Sequence, residues 1–375
     1  VGRRLTVCAG AIALTASTVL VGQVAGATRP DTRPFLDQLH VLAPIASTVP
    51  ANGDVNPYGV AVVPVTVGKL RAGDTLISNF NAKSNVQGTG STIVEVSPAG
   101  RSTLFARVSS LPRGVRCPGG VGLDTAIGVL PGGWVLVGSA PSTRGGLLPG
   151  VSPAGCVLVF DGGGRLVESF SNSKIVDPWD LTLTASGTSA AVFVSNALGG
   201  NTKVVHGEPV AGLCTISRLD LVLHPMAPPS LSSSTTIGVD FPWRANLATY
   251  VLAPAGLALG TTGTLYVDNT LTSSISAIPD ALTRTTAVGQ SATTISHGGG
   301  LAEPLGMLVA PNGDVITVNG ANGNAVETTP SGHQLVVRTI IRGGAGFLFG
   351  VALDRARTAI LLANDGTNAL DLYRS

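Results

Sequence analysis

A short phrase, proline–any–glycine–apolar, recurs down this chain and limits its fold more than any other feature. It stands as PYGV at 57–60, PGGV at 118–121, PWDL at 178–181, PAGL at 254–257, PLGM at 304–307 and LFGV at 348–351. Proline is replaced only at Leu348 and glycine only at Asp180. The third positions, 59, 120, 180, 256, 306 and 350, suit a unit of about 40–50 residues that carries loop insertions. Each phrase opens a similar passage. After PLGM come an apolar run, the turn PNGD, a second run VITV, a polar loop NGANGN, and the hairpin AVETTPSGHQLVVRTI.

Short alternating runs between Gly, Asn, Asp and Pro turns give about four strands per unit. Proline at the mouth of a strand tolerates a missing ladder hydrogen bond, and glycine permits close approach near an axis. Six such units predict an all-β fold, a six-bladed β-propeller with four-stranded blades. A stack of two β-sandwiches is the alternative. The last unit stops at Ser375 after three strands, and QLHVLAPIAST at 38–48 precedes the first with no other evident partner. That N-terminal segment is expected to complete the last blade and close the ring, removing two open sheet edges.

PLGMLVAPNGDVITVNG and PAGLALGTTGTLYVDN resemble the blades of propellers built from NHL-type repeats, as found in secreted bacterial proteins. The resemblance covers roughly residues 38–375 and implies the fold. It implies little about function, since one fold hosts many activities. Blades 1 to 3 depart from the compact repeat through longer loops.

The first 27 residues read as a secretory signal: Arg3 and Arg4, then LTVCAGAIALTASTVLVG, then VAGA before Thr28. The expected organisation is a signal peptide over 1–27, a linker over 28–37 and one propeller over 38–375. No later stretch is long and apolar enough to span a bilayer, so no membrane insertion is expected after signal removal. The chain has 23 basic and 21 acidic residues, and the signal removes two arginines and no acid, leaving the remainder formally neutral. Nucleic acid and anionic lipid both need a basic face. No run of Lys or Arg supplies one. Cys117, Cys156 and Cys214 match no zinc spacing, and in an oxidising compartment they suggest one disulfide and one thiol. Cys117–Cys156, within one blade, is favoured over Cys156–Cys214.

Candidate site residues follow from the architecture. Strand entries and the loops after second strands should open on one face, over the central channel. The residue before each phrase is Asn56, Cys117, Asp177, Ala253, Glu303 and Phe347. Asn56, Asp177 and Glu303 are hard oxygen donors on alternate blades, a set that suits Ca²⁺ or Mg²⁺; capping of turns is the alternative. Trp179, beside Asp180, is a stacking platform or core filler. His206 and Glu208 form the most polar cluster of a long blade 3 loop. The recurring Asn and Asp after second strands, among them Asn79, Asn196, Asn269, Asn319, Asn364 and Asp365, are expected to serve turn chemistry.

Nucleophilic catalysis has little support. None of the five histidines sits in a recognisable pairing, and no GxSxG elbow is present. The first functional expectation is a secreted, monomeric binding protein for a small molecule or a protein. The alternative is a metal-dependent lactonase- or esterase-like hydrolase, as in gluconolactonase-like propellers, where a channel-bound cation activates water. A purely structural surface component is the third. Whether the channel mouth collects carboxylates around a cavity or is plugged by residues such as Phe347 and Phe349 separates the first two.

Overall fold

A computed structural model describes residues 1–2, 33–108, 110–122, 125–143, 146–147, 155–197, 212–246 and 250–375. The signal segment and the pair His206 and Glu208 lie outside the described residues. Residues 33–375 form one compact unit.

Blade 5 shows how the repeat folds. Its inner strand Pro304–Val309 turns at Gly313, whose φ of 93° favours glycine, into Val315–Asn319, then Asn324–Thr328 and the outer strand Gln334–Thr339. The second strand is buried at every position, whereas the outer strand alternates half-buried and exposed residues. This follows from position. Middle strands are packed on both faces by neighbouring blades and therefore read as continuous apolar runs; the outer strand faces solvent on one side.

Six antiparallel sheets repeat the pattern. Their inner strands are Val55–Val62, Ile127–Val129, Pro178–Ser186, Pro254–Leu259, Pro304–Val309 and Leu348–Leu353. Blade 3 is enlarged by an outer strand of 17 residues, Ser230–Asn246, extended by Tyr250–Leu252. Among the described residues, five apolar clusters lie between successive blades, and a sixth joins blades 3 and 4 to the axial aromatics Tyr58, Phe80 and Trp179. One joins Leu76, Ile93 and Phe105 of blade 1 to Val135, Leu158 and Phe160 of blade 2; another joins Ile77 and Val94 of blade 1 to Leu361 and Leu370 of blade 6. Each large side chain buried there contributes about 1.5–3 kcal/mol.

The ring closes as expected. Val41–Ser47 pairs antiparallel with Ala369–Arg374, placing Val41 opposite Arg374, and supplies the fourth strand of blade 6. The segment before it, assigned to a linker from sequence, is also seated. A single 3₁₀ turn, Leu36–Gln38, buries Leu36 and Leu39 against blades 5 and 6. Both carboxylate oxygens of the buried Glu327 accept backbone N–H groups of this turn, from Phe35 and Leu36, each at 2.7 Å.

The glycine of the phrase has a specific contact. A Cβ on Gly306 would collide with the carbonyl oxygen of Phe349 on blade 6, and one on Gly350 with that of Tyr58 on blade 1. Each blade's glycine thus packs on the second residue of the next blade's phrase. This contact corrects the alignment of blade 2. Gly59 meets the carbonyl of Thr125, not a residue of PGGV, so Thr125 takes the place of Tyr58. Gly120 instead forms a turn with φ 81°, its N–H bonded to Cys117 O at 3.0 Å. Cys117 therefore does not belong to the axial ring. It forms the expected disulfide with Cys156, Cα–Cα 5.3 Å, while Cys214 is a buried thiol.

Candidate functional site

Register explains the recurring asparagine. Asn79, Asn196, Asn269, Asn319 and Asn364 each stand opposite the first residue of their blade's phrase. Their amides hold incoming chain: Asn196 Oδ1 accepts the N–H of Val176 at 2.9 Å, and Asn319 Oδ1 accepts that of Ala302 at 3.2 Å while its amide donates to Gly300 O at 2.8 Å. That hold on the incoming chain is made by Asn196 and Asn319; Asn269 instead accepts the N–H of Thr272 in its own turn, and Asn364 donates to the Asp371 carboxylate at 2.7 Å.

The residue before the proline is held under strain in two blades. Asn56 and Glu303 have φ of 61° and 51°, in the left-handed region that non-glycine residues seldom occupy. Each gives its N–H to a loop residue of the preceding blade: Asn56 to Asn368 Oδ1 at 2.8 Å, and Glu303 to Ser273 Oγ at 3.0 Å. Asn368 and Ser273 are themselves left-handed, with φ 50° and 45°. The same inter-blade clamp is thus built twice. Backbone strain of this kind costs about 1–3 kcal/mol per residue and persists where the surroundings determine it.

Asn56 and Glu303 line a cup of about 510 Å³ at one end of the axis. Strand entries and second-strand loops meet there, as anticipated: the walls also include Asn81, Asn85, Gln87, Thr270 and Asp365. The floor is aromatic. Tyr58, Trp179, Leu305 and Phe349, the second residues of four phrases, converge with Phe80. Tyr58 lies 4.6 Å from Phe349 between ring centroids and edge-on to Trp179 at 5.9 Å, and Trp179 meets Phe80 at 5.6 Å. The indole N–H of Trp179 donates to the Tyr58 oxygen at 3.0 Å. The mouth therefore has both features that sequence posed as alternatives, carboxylates around a cavity and an apolar plug beneath it. Burial raises the carboxyl of Asp365 to about 6.

Below this floor, further along the inner strands, a second cavity of about 770 Å³ is lined by Gly59, Thr125, Asp180, Leu183, Leu257 and Arg357 among others. Asp180 faces it, away from the cup. Standing where blades 1, 4, 5 and 6 have glycine, its carboxylate crosses to blade 4 and accepts the N–H of Leu257 at 2.8 Å. Burial lifts its carboxyl to about 7 against the lowering effect of the Leu257 and Leu181 amides. Asp268 is completely buried, accepts the N–H of Gly256 at 2.9 Å, and is raised well above the carboxylate range by burial and by Asp180. Burial, reinforced by both carboxylates, raises the Tyr58 phenol as well.

Of the residues singled out from sequence, Asn56, Trp179 and Glu303 meet at the cup and Asp180 stands below it. Asp177 is completely buried and absent from the cup wall. Among the described residues, no group of three or more His, Cys, Asp or Glu side chains is arranged to hold a metal ion. Sequence reasoning missed Tyr58 and Phe80. The signal for Tyr58 was available, because the second position of the phrase is aromatic in three blades, as Tyr58, Trp179 and Phe349.

The ring and its mouth define a six-bladed β-propeller with an aromatic-floored cup on its axis. No protein-family model matches the chain, and no curated protein matches it in sequence. Solved structures match its fold. The gluconolactonase of Xanthomonas campestris aligns with TM-score 0.50 at 12 % identity, covering 89 % of each chain. The calcium-binding protein regucalcin of Agrobacterium tumefaciens aligns with TM-score 0.52 at 11 % identity, covering 89 % of this chain and 94 % of its own. A streptogramin B lyase aligns with TM-score 0.50 at 12 % identity, covering 91 % and 99 %. At these identities the likeness is one of fold. Among the described residues, no helix is long and apolar enough to cross a membrane.

Proposed function

We propose that this protein is a secreted, monomeric binding propeller, built on NHL-type repeats, that takes a small molecule at the mouth of its channel. The observation that carries this reading is the cup itself. About 510 Å³ with an aromatic floor and a few polar groups on the rim is the usual make-up of a small-molecule site. Its rim carries Asn56 and Glu303, each clamped by its N–H to the neighbouring blade. The leader-like N-terminus and the Cys117–Cys156 disulfide support an extracytoplasmic setting.

A hydrolase reading of the same mouth draws on the gluconolactonase and regucalcin folds and on Glu303. It is the weaker of the two, because the wall offers no histidine and no cluster of metal ligands among the described residues.

The test is a thermal-shift screen of the full chain against a small-molecule library. It is run in parallel with the variant Ala345→Trp, which places an indole in the cup from an exposed wall position. Compounds that raise Tm in the native protein and not in the variant establish the site. Hydrolysis of gluconolactone with added Ca²⁺, abolished by Ala345→Trp, would replace the binding reading with the enzymatic one.

A further inference from the structure

The electrostatics of the cup go beyond its shape. We infer that the mouth takes an organic cation, an ammonium group carried on a compact apolar or aromatic body; this rests on the reading of the cup as a binding site. Three observations converge on it.

First, the cup wall carries two carboxylic acids, Glu303 and Asp365, and no Lys, Arg or His among its described lining residues. Any anion entering would meet the negative charge of these two side chains in a partly desolvated space, where charges are poorly screened. Second, the unmet hydrogen-bonding capacity there is acceptor capacity. Asn56 Oδ1 is buried with no protein partner. The shift of Asp365 comes from burial, with no cation or hydrogen bond offsetting it. An ammonium brings donors only, so it matches an acceptor-rich wall without leaving a lone pair of its own. Third, the floor is lined by the rings of Tyr58, Phe80, Trp179 and Phe349, packed with centroids 4.6–6.1 Å apart. A cation over such rings is attracted by their quadrupoles, more strongly once desolvated. A bare metal ion uses the carboxylates and leaves the floor unexplained; a neutral apolar molecule uses the floor and leaves the acids unexplained. An organic cation uses both.

The test compares phenethylammonium with its neutral analogue phenethyl alcohol, by calorimetric titration of the full chain at pH 7.5, with Ca²⁺ as a third titrant. The inference expects the ammonium to bind at least about tenfold more tightly than the alcohol. Glu303→Gln and Asp365→Asn should each remove most of that preference while leaving Tm within a few degrees of the parent. Equal binding of ammonium and alcohol overturns the charge assignment and leaves the cup as a binding site. Binding of Ca²⁺ in place of both organic probes overturns it in favour of a metal. Binding of none of the three, together with an empty library screen, removes the cup reading too.

Discussion

The N–H of the Trp179 indole reaches the phenolic oxygen of Tyr58 at 3.0 Å, linking residues that are 121 positions apart in the chain and belong to blades 3 and 1. This bond crosses the axis and holds the floor of the cup in one arrangement. Tyr58→Phe removes the acceptor and little else. A destabilisation of about 1 kcal/mol is expected from urea unfolding. A midpoint equal to the parent's would show that the bond contributes nothing net.

Close approach at the axis makes a second, harsher prediction. In Gly306→Ala the new methyl group meets the backbone oxygen of Phe349, which has no flexible side chain to move. The blade 5–blade 6 interface must shift, costing about 3 kcal/mol or more. Soluble, unperturbed Gly306→Ala protein with the parent's Tm would refute the contact.

The disulfide closes a loop with a sequence separation of 39. Cys117→Ala/Cys156→Ala should lower stability by about 4 kcal/mol at most on the chain-entropy account. Cys214 is buried and should resist thiol reagents until the protein unfolds. Labelling of native Cys214 at the rate of a free thiol would contradict its placement.

The buried acids predict an unusual pH profile. Asp180 is raised from 3.8 to about 7 in the folded protein, and Asp268 is raised well above 3.8. Between these limits the native state keeps protons that the unfolded chain releases. The stability that Asp180 provides is complete below about pH 4 and is lost as pH climbs through 7, at roughly 1.4 kcal/mol per pH unit, and Asp268 acts in the same direction. Tm should therefore be higher at pH 5 than at pH 8, and Asp268→Asn should flatten that slope. A Tm that rises steadily from pH 5 to pH 8 would exclude protonated acids at the axis.

The ring was legible because its signals are local. A proline-led phrase, a PNG turn and alternating apolar runs each report on a few neighbouring residues, and the spare segment at 38–48 completed the count. Blade 2 misled for the same reason. PGGV has the right letters, yet its Gly120 makes a turn, and only packing of Gly59 on Thr125 reveals the true position. The site was half legible. Glu303 and Asn56 were found by asking which residues precede the proline, and Tyr58 was overlooked because the middle of the phrase looked like a free position. Its role depends on contacts across the axis, between residues with no sequence relationship. Asp180 was noticed as an exception to the glycine rule, but its reach toward Leu257 and the cavity below could not be read from its neighbours.

The pairing of Val41 with Arg374 also bears on how the molecule comes into being. Val41–Ser47 has no partner until Ala369–Arg374 has been synthesised. Every earlier intermediate therefore carries this strand unmatched and the ring open. Assembly of the circle is a late, long-range event, slow by the ordinary rule that distant contacts form after near ones. Until then the early blades await a neighbour, exposed to whatever holds or degrades unfinished chains.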